Sequence, residues 1–264
     1  MATPSALVNV MIEAARKAGK GLTRDFGELG ELQVSKKGLA DFVSAADIKA
    51  EQFLFEALDK ARRGYSFLGE ERGLIEGTDK SHRWIVDPLD GTTNFLHAIP
   101  HFAISIALER EGAVVAALVY NPATQDLYWA EKGKGAYLNN EKRLRVAART
   151  RLEEAVLATG IPFLGHGQHA KFLKELHQIS QRVAGVRRFG SAALDLAYVA
   201  AGRFDGFWER DLSAWDIAAG MLLVTEAGGK VSEIDGGDVL TTGNILAANL
   251  ELHPLIEARL KAVT

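Results

Sequence analysis

Apolar positions at the start of the chain recur at helical spacing. Leu7, Val8, Met11, Ala14, Ala15 and Ala18 fall at steps of three and four, which predicts an amphipathic helix over Ser5–Lys20 that Gly19 and Gly21 should end. Glu31–Val34 reads as one arm of a small hairpin, and the polar Ser35–Asp41 segment after it as a loop. Ala45, Ile48, Phe55 and Leu58 predict a second helix of about four turns from near Ser44, with Asp47 in its first turn where an acid complements the helix dipole. The pattern then changes. Tyr65–Gly69 and Trp84–Val86 read as short strands, and Phe102–Leu108, Val114–Tyr120, Leu127–Ala130 and Tyr137–Leu138, separated by glycine, asparagine and proline, as an antiparallel meander. From Leu152 onward strands and helices alternate: a strand at Ala155–Ala158, helices at Gln168–Gln181 and Ala192–Ala201, and a strand at Phe204–Trp208. A helix through Ile217, Gly220, Met221 and Val224 follows, then strands near Val231 and at Ile245–Ala248, and a helix over Pro254–Ala262. Two lobes, residues 1–150 and 151–264, with a site between them are the expected organisation.

The stretch Trp84–Phe95, W-I-V-D-P-L-D-G-T-T-N-F, carries the densest chemistry. A short buried strand should end at Asp87, Pro88 should stop its ladder, and Gly91 should permit a tight turn that aims Asp87 and Asp90 at one place. Gly91, Thr92 and Thr93 then open a helix or helical turn whose first backbone N–H groups have no intrahelical partner and suit an anionic oxygen. Acids for a cation beside donors for an anion describe a metal-assisted phosphate site. An Asp-Pro turn with Asp90 as a helix N-cap is the plainer alternative. Ser213-x-x-Asp216 likewise reads as a capping box, although Asp216 also starts a helix near a strand end, where α/β sheets build their sites. Glu70 and Glu71, after the Tyr65–Gly69 strand, are ordinary surface acids unless another acid is brought close.

Composition narrows the classes. The 264 residues are 47% hydrophobic and 25% charged with net charge −3, an ordinary globular balance without a broad basic face, so nucleic acid is not an expected partner. There is no cysteine, which excludes disulfides and thiolate zinc sites; any metal must be held by oxygen or imidazole. No run approaches the ~18 apolar residues of a membrane span. A cytoplasmic protein without a membrane partner is expected.

Three motifs in order, G-E-E at 69–71, the 84–95 stretch, and W-D-I-A-A-G at 215–220 followed by E-A-G-G at 226–229, resemble the inositol monophosphatase family, over about Leu7 to Asn249. The resemblance implies an α+β fold, a layered αβαβα sandwich of the inositol monophosphatase and fructose-1,6-bisphosphatase type. It also implies a Mg²⁺-dependent, lithium-sensitive phosphomonoesterase with two or three ions per active site, assembled as a homodimer. Glu70, Asp87, Asp90 and Asp216 match the family's metal carboxylates, and Leu89 the residue that offers its carbonyl. Gly91 and Thr92 match the phosphate contacts, and Glu70 and Thr92 the groups that orient the attacking water. Asp47 matches the acid behind that threonine. Gly190, Ser191, Ala192, Glu209 and Asp216 match the substrate pocket. Ser191 stands where family members often have threonine, and Trp208 and Arg210 flank Glu209, so the identity of the ester is the open point.

Inositol 1-phosphate is the expected substrate. Fructose 1,6-bisphosphate, histidinol phosphate and a 3′-phosphonucleotide are alternatives, and Arg187, Arg188 and Arg210 are the basic candidates for the second phosphate of a bisphosphate. A regulatory role with transcription machinery is a further alternative. An EF-hand is excluded by ligand spacing, and His97 and His101 read as structural residues or neighbours of a dimer contact rather than zinc ligands.

Overall fold

The computed structural model describes residues 3–32, 36–163, 165 and 167–263. Two long helices, α1 (Ala6–Leu32) and α2 (Lys36–Ala61), precede the strands β1 (Tyr65–Gly69), β2 (Gly73–Ile75) and β3 (Asp79–Asp90). A short helix α3 (Thr92–Leu96) leads into the meander β4 (Ala103–Arg110), β5 (Ala113–Asn121), β6 (Asp126–Glu131), β7 (Gly135–Leu138) and β8 (Lys142–Arg143). The second half runs β9 (Val156–Thr159), α4 (His169–Ser180), β10 (Gly185–Arg187), α5 (Ala192–Ala200), β11 (Gly206–Glu209) and α6 (Ala214–Glu226). It ends with β12 (Lys230–Glu233), α7 (Val239–Thr242), β13 (Ile245–Ala248) and α8 (Leu252–Lys261).

The first eight strands form one sheet in the order β2-β1-β3-β4-β5-β6-β7-β8, antiparallel except where β1 runs parallel to β3. The other five form a second sheet, β10-β9-β11-β13-β12. Side chains alternate across the large sheet as the strand period requires. Trp84 and Val86 pack under α1 and α2 with Val8, Met11 and Leu54, whereas Ile85 between them packs against α5 and α6 with Leu194 and Ile217. That middle helical layer is covered on its far side by Ala158, Phe207 and Ala247 of the second sheet. The second sheet's other face holds Leu157, Trp208 and Leu246 against Phe172 of α4 and Ile256 of α8. The result is the expected five-layer αβαβα sandwich, and its halves share the apolar core around α5 and α6.

Several element boundaries differ from expectation. α1 does not stop at Gly19 and Gly21 but continues to Leu32, because Leu22 and Leu29 carry its buried face onward and tertiary burial outweighs glycine's low helix propensity. Glu31 and Leu32 therefore complete a helix rather than begin a hairpin, and Val34 and Ser35 lie outside the described residues. The supposed loop from Lys36 to Asp41 is the start of α2, which places Asp47 in the middle of a 26-residue helix, away from its dipole end. β3 runs through Pro88 to Asp90. Its pairing shifts from Asp87 opposite Ser105 to Asp90 opposite Ala103, so three steps on β3 span two on β4, and the proline falls in this bulge where no ladder donor is demanded.

Gly220, the last residue of the W-D-I-A-A-G motif, lets α6 approach α5: a Cβ there would lie 2.4 Å from Leu196 Cδ1 and 2.5 Å from its Cβ. Gly220→Ala is therefore expected to destabilise the protein by about 1–3 kcal/mol despite alanine's better helix propensity. Denaturant unfolding measures it, and a stabilised variant would show that the two helices have room to separate.

Candidate active site

The bulge in β3 does the first part of the assembly. In an unbroken strand, positions three apart face opposite sides, and the inserted residue turns Asp87 and Asp90 toward the same one. The backbone N–H of Leu89 donates to Asp87 Oδ1 at 2.8 Å and holds that carboxylate in the turn. Gly91 follows at φ 92°, with the backbone oxygens of His101 and Gly190 3.0 and 3.2 Å from where a Cβ would stand. A side chain at 91 meets both strain and contact.

α5 and α6 bring the rest. Ser191 caps α5, accepting from the Leu194 N–H, and its hydroxyl donates to Asp90 Oδ2 at 2.5 Å; the Ala193 N–H donates to the same oxygen at 2.8 Å. Asp216, in the first turn of α6, accepts from the Ser213 N–H at 2.7 Å. The capping box is thus real, yet it engages one carboxylate without excluding a second use. Ligand atoms of Asp87, Asp90 and Asp216 all lie within 4.8 Å of one another.

Burial and mutual repulsion raise the proton affinity of this group. Asp87 is driven far above the usual carboxylate range by burial first and then by Asp90, Glu70, Asp216 and Asp47. Asp90 is raised to about 6 by burial, with the Ser191 hydroxyl and the α5 N–H groups opposing, and Asp216 to about 7 by burial and Asp90. Acids so placed oppose their own ionisation, and a divalent cation among them reverses that logic. An all-oxygen donor set suits a hard cation such as Mg²⁺. Glu70, exposed on the turn after β1, contacts Asp87. The buried Asp47 lies behind it, raised to about 8 by burial and by the neighbouring glutamates, with Oδ1 free of any hydrogen bond. The Thr92 hydroxyl donates to the Leu89 carbonyl oxygen at 3.0 Å.

A cavity of about 420 Å³ opens over these groups. Glu70, Asp90, Gly91, Thr92, Gly190, Ser191, Ala192, Glu209 and Asp216 line it, whereas Asp87 and Leu89 are buried outside its lining. Glu209 is seated over Gly160, which has no side chain to obstruct it, and is raised to about 8 by burial, Asp216 and Asp90. Arg210 is tied to Glu175 at 2.7 Å and to Asp235, so it braces the wall rather than offering a free charge, and Trp208 is buried in the core. His101 packs edge-on against Phe189 and Tyr198. Sequence reasoning missed Asn94, whose side-chain amide donates to the carbonyls of His101 and Phe189 at 2.8 and 2.7 Å and so ties α3 to the Gly190 loop. Its place inside the 84–95 motif was the available signal.

Strand-end and helix-start carboxylates grouped at one cavity are a donor set able to hold a metal ion. A model of the inositol monophosphatase family matches residues 4–264. The chain is 69% identical to an inositol-1-monophosphatase of Caulobacter vibrioides over 96% of this chain and 100% of that one. It is 44% identical to a protein named Nus factor SuhB from Escherichia coli, over 92% and 91%. A crystal structure of the extragenic suppressor protein suhB from Bartonella henselae superposes with TM-score 0.90 at 55% identity, over 97% and 99%. The chain belongs to the inositol monophosphatase family.

Ser191→Ala removes both the α5 cap and a donor to a buried carboxylate. Stability is expected to fall by about 1–3 kcal/mol, and Ser191→Thr to restore it. Thermal or urea unfolding reads this, and an unchanged alanine variant would detach the hydroxyl from Asp90.

Proposed function

We propose that this protein is a phosphatase that hydrolyses a phosphate monoester, inositol 1-phosphate above all, to the free alcohol and phosphate with Mg²⁺ as cofactor. The observation that carries the reading is the convergence of Asp87, Asp90 and Asp216 within 4.8 Å, in a family whose relatives at 61–69% identity are named inositol-1-monophosphatases. Asp87, Asp90 and Asp216, joined by Glu70 and the Leu89 carbonyl, would hold two or three Mg²⁺ ions. When bound, such ions lower the pKa of water and neutralise charge on attacking and leaving oxygens.

The chain's own groups supply the rest. The Gly91 and Thr92 backbone N–H groups receive the phosphoryl oxygens. Glu70 and the Thr92 hydroxyl orient the water for in-line attack, and Asp47 supports the threonine from behind. Glu209, Asp216 and the Gly190–Ala192 segment accept the hydroxyls of the departing polyol. With a water so oriented, no covalent phosphoenzyme is needed, and the phosphoryl group passes to water directly. In this reading residues 1–150 contribute Glu70, Asp87 and Asp90, residues 151–264 contribute Asp216 and the polyol wall, and the protein works as a homodimer.

A second reading follows from the 44% identity to a protein named Nus factor SuhB: a binding role in transcription alongside the phosphatase. Pull-down from extract with Asp87→Asn separates the two, since a docking surface away from the cavity keeps its partner.

Asp90→Asn is expected to lower kcat for inositol 1-phosphate by about 10²-fold or more with the fold intact. A chelator should abolish phosphate release and Mg²⁺ restore it. Near-normal turnover of the variant at saturating Mg²⁺, or indifference to chelator, would overturn the assignment, and faster hydrolysis of fructose 1,6-bisphosphate would change the substrate.

A further inference from the structure

Glu51 lies on α2 one turn beyond Asp47, with no exposed surface. Burying a carboxylate is costly without compensating partners. Among the described residues its polar partners belong to one short segment. Oε1 accepts from the Glu71 N–H at 3.1 Å, and Arg72 Nε stands 3.5 Å from Oε2. The Arg72 guanidinium is itself steadied over the Phe55 ring, 5.4 Å from its centroid. Gly69 completes the fit: a Cβ there would fall 1.9 Å from Oε1, in the space the carboxylate occupies. The glycine of the G-E-E motif is thus explained by Glu51 rather than by a turn conformation.

The segment so gripped, 69–72, joins β1 to β2 and carries Glu70. That side chain is exposed, in contrast to Asp87 and Asp90, which are held by strand and helix. A carboxylate on a short turn at the sheet's margin keeps its place only if the turn's backbone is fixed. We propose that Glu51 is a positioning residue, holding the 69–72 turn through the Glu71 backbone N–H and the Arg72 side chain and thereby setting the Glu70 carboxylate at the divalent-cation site. The inference rests on the metal-dependent reading above. Glu51 is not among the residues that line the cavity and reaches Glu70 through the turn and through charge, so its removal acts on cation affinity before it acts on chemistry.

The test is calorimetric titration of Mg²⁺ into the wild-type protein, Glu51→Ala, Glu51→Gln, Glu51→Asp and Gly69→Ala, with melting temperatures measured on the same samples. Glu51→Ala and Gly69→Ala, which remove or displace the acceptor, should weaken Mg²⁺ binding by about 10–100-fold, the range found when groups that orient a metal ligand are removed. Glu51→Gln keeps an acceptor oxygen in place and should recover most of that loss. Glu51→Asp keeps the charge but withdraws it by one methylene and should stay weak, which decides the matter if the alanine variant does not fold. Mg²⁺ affinity unchanged in Glu51→Asp and Gly69→Ala, or glutamine as damaging as alanine, overturns the positioning role. A wild-type protein that binds no Mg²⁺ overturns the metal-dependent reading instead.

Discussion

Like charges gathered where water cannot screen them set the terms for this structure. Asp87, Asp90 and Asp216 lie close enough to share a cation, and two of the three are buried. Each is pushed toward its protonated form by the loss of water and by its neighbours. Such a group would be a liability in an ordinary core. Backbone N–H groups and the Ser191 hydroxyl hold individual oxygens, and a divalent ion bound among the acids would turn repulsion into ligation.

The layered frame keeps these acids from moving apart. α5 and α6 are packed between two sheets and against each other at Gly220, so the N-terminal ends that present Ser191 and Asp216 cannot drift from the β3 bulge without opening the central core. Rigid elements thus fix the cluster, whereas the more exposed part of the cavity is made by turns and loops. Asn94 and Glu51 perform comparable tasks there. Each is a buried polar side chain that binds backbone groups of a neighbouring segment, one holding the Gly190 loop and the other the Glu70 turn. Holding backbone rather than side chain leaves the functional side chain free to face the cavity.

The amino-acid sequence by itself determined the order and kind of most elements from β1 onward, since period-two runs bounded by glycine and asparagine are local signals. It also determined the identity of the acids, because D-P-L-D-G-T and W-D are contiguous motifs. It misjudged α1 and α2, where glycines and polar residues argued for breaks and the burial of Leu22 and Leu29 against a distant sheet outweighed them. Short strands such as β2 and β10 lacked enough residues to show a period. Only the tertiary structure decided that β3 continues through Pro88 in a bulge, that Asp47 lies mid-helix, and that Arg210 is committed to Glu175 and Asp235. These facts depend on partners tens of residues away, and spacing along the chain records which groups exist but not which of them fold against one another.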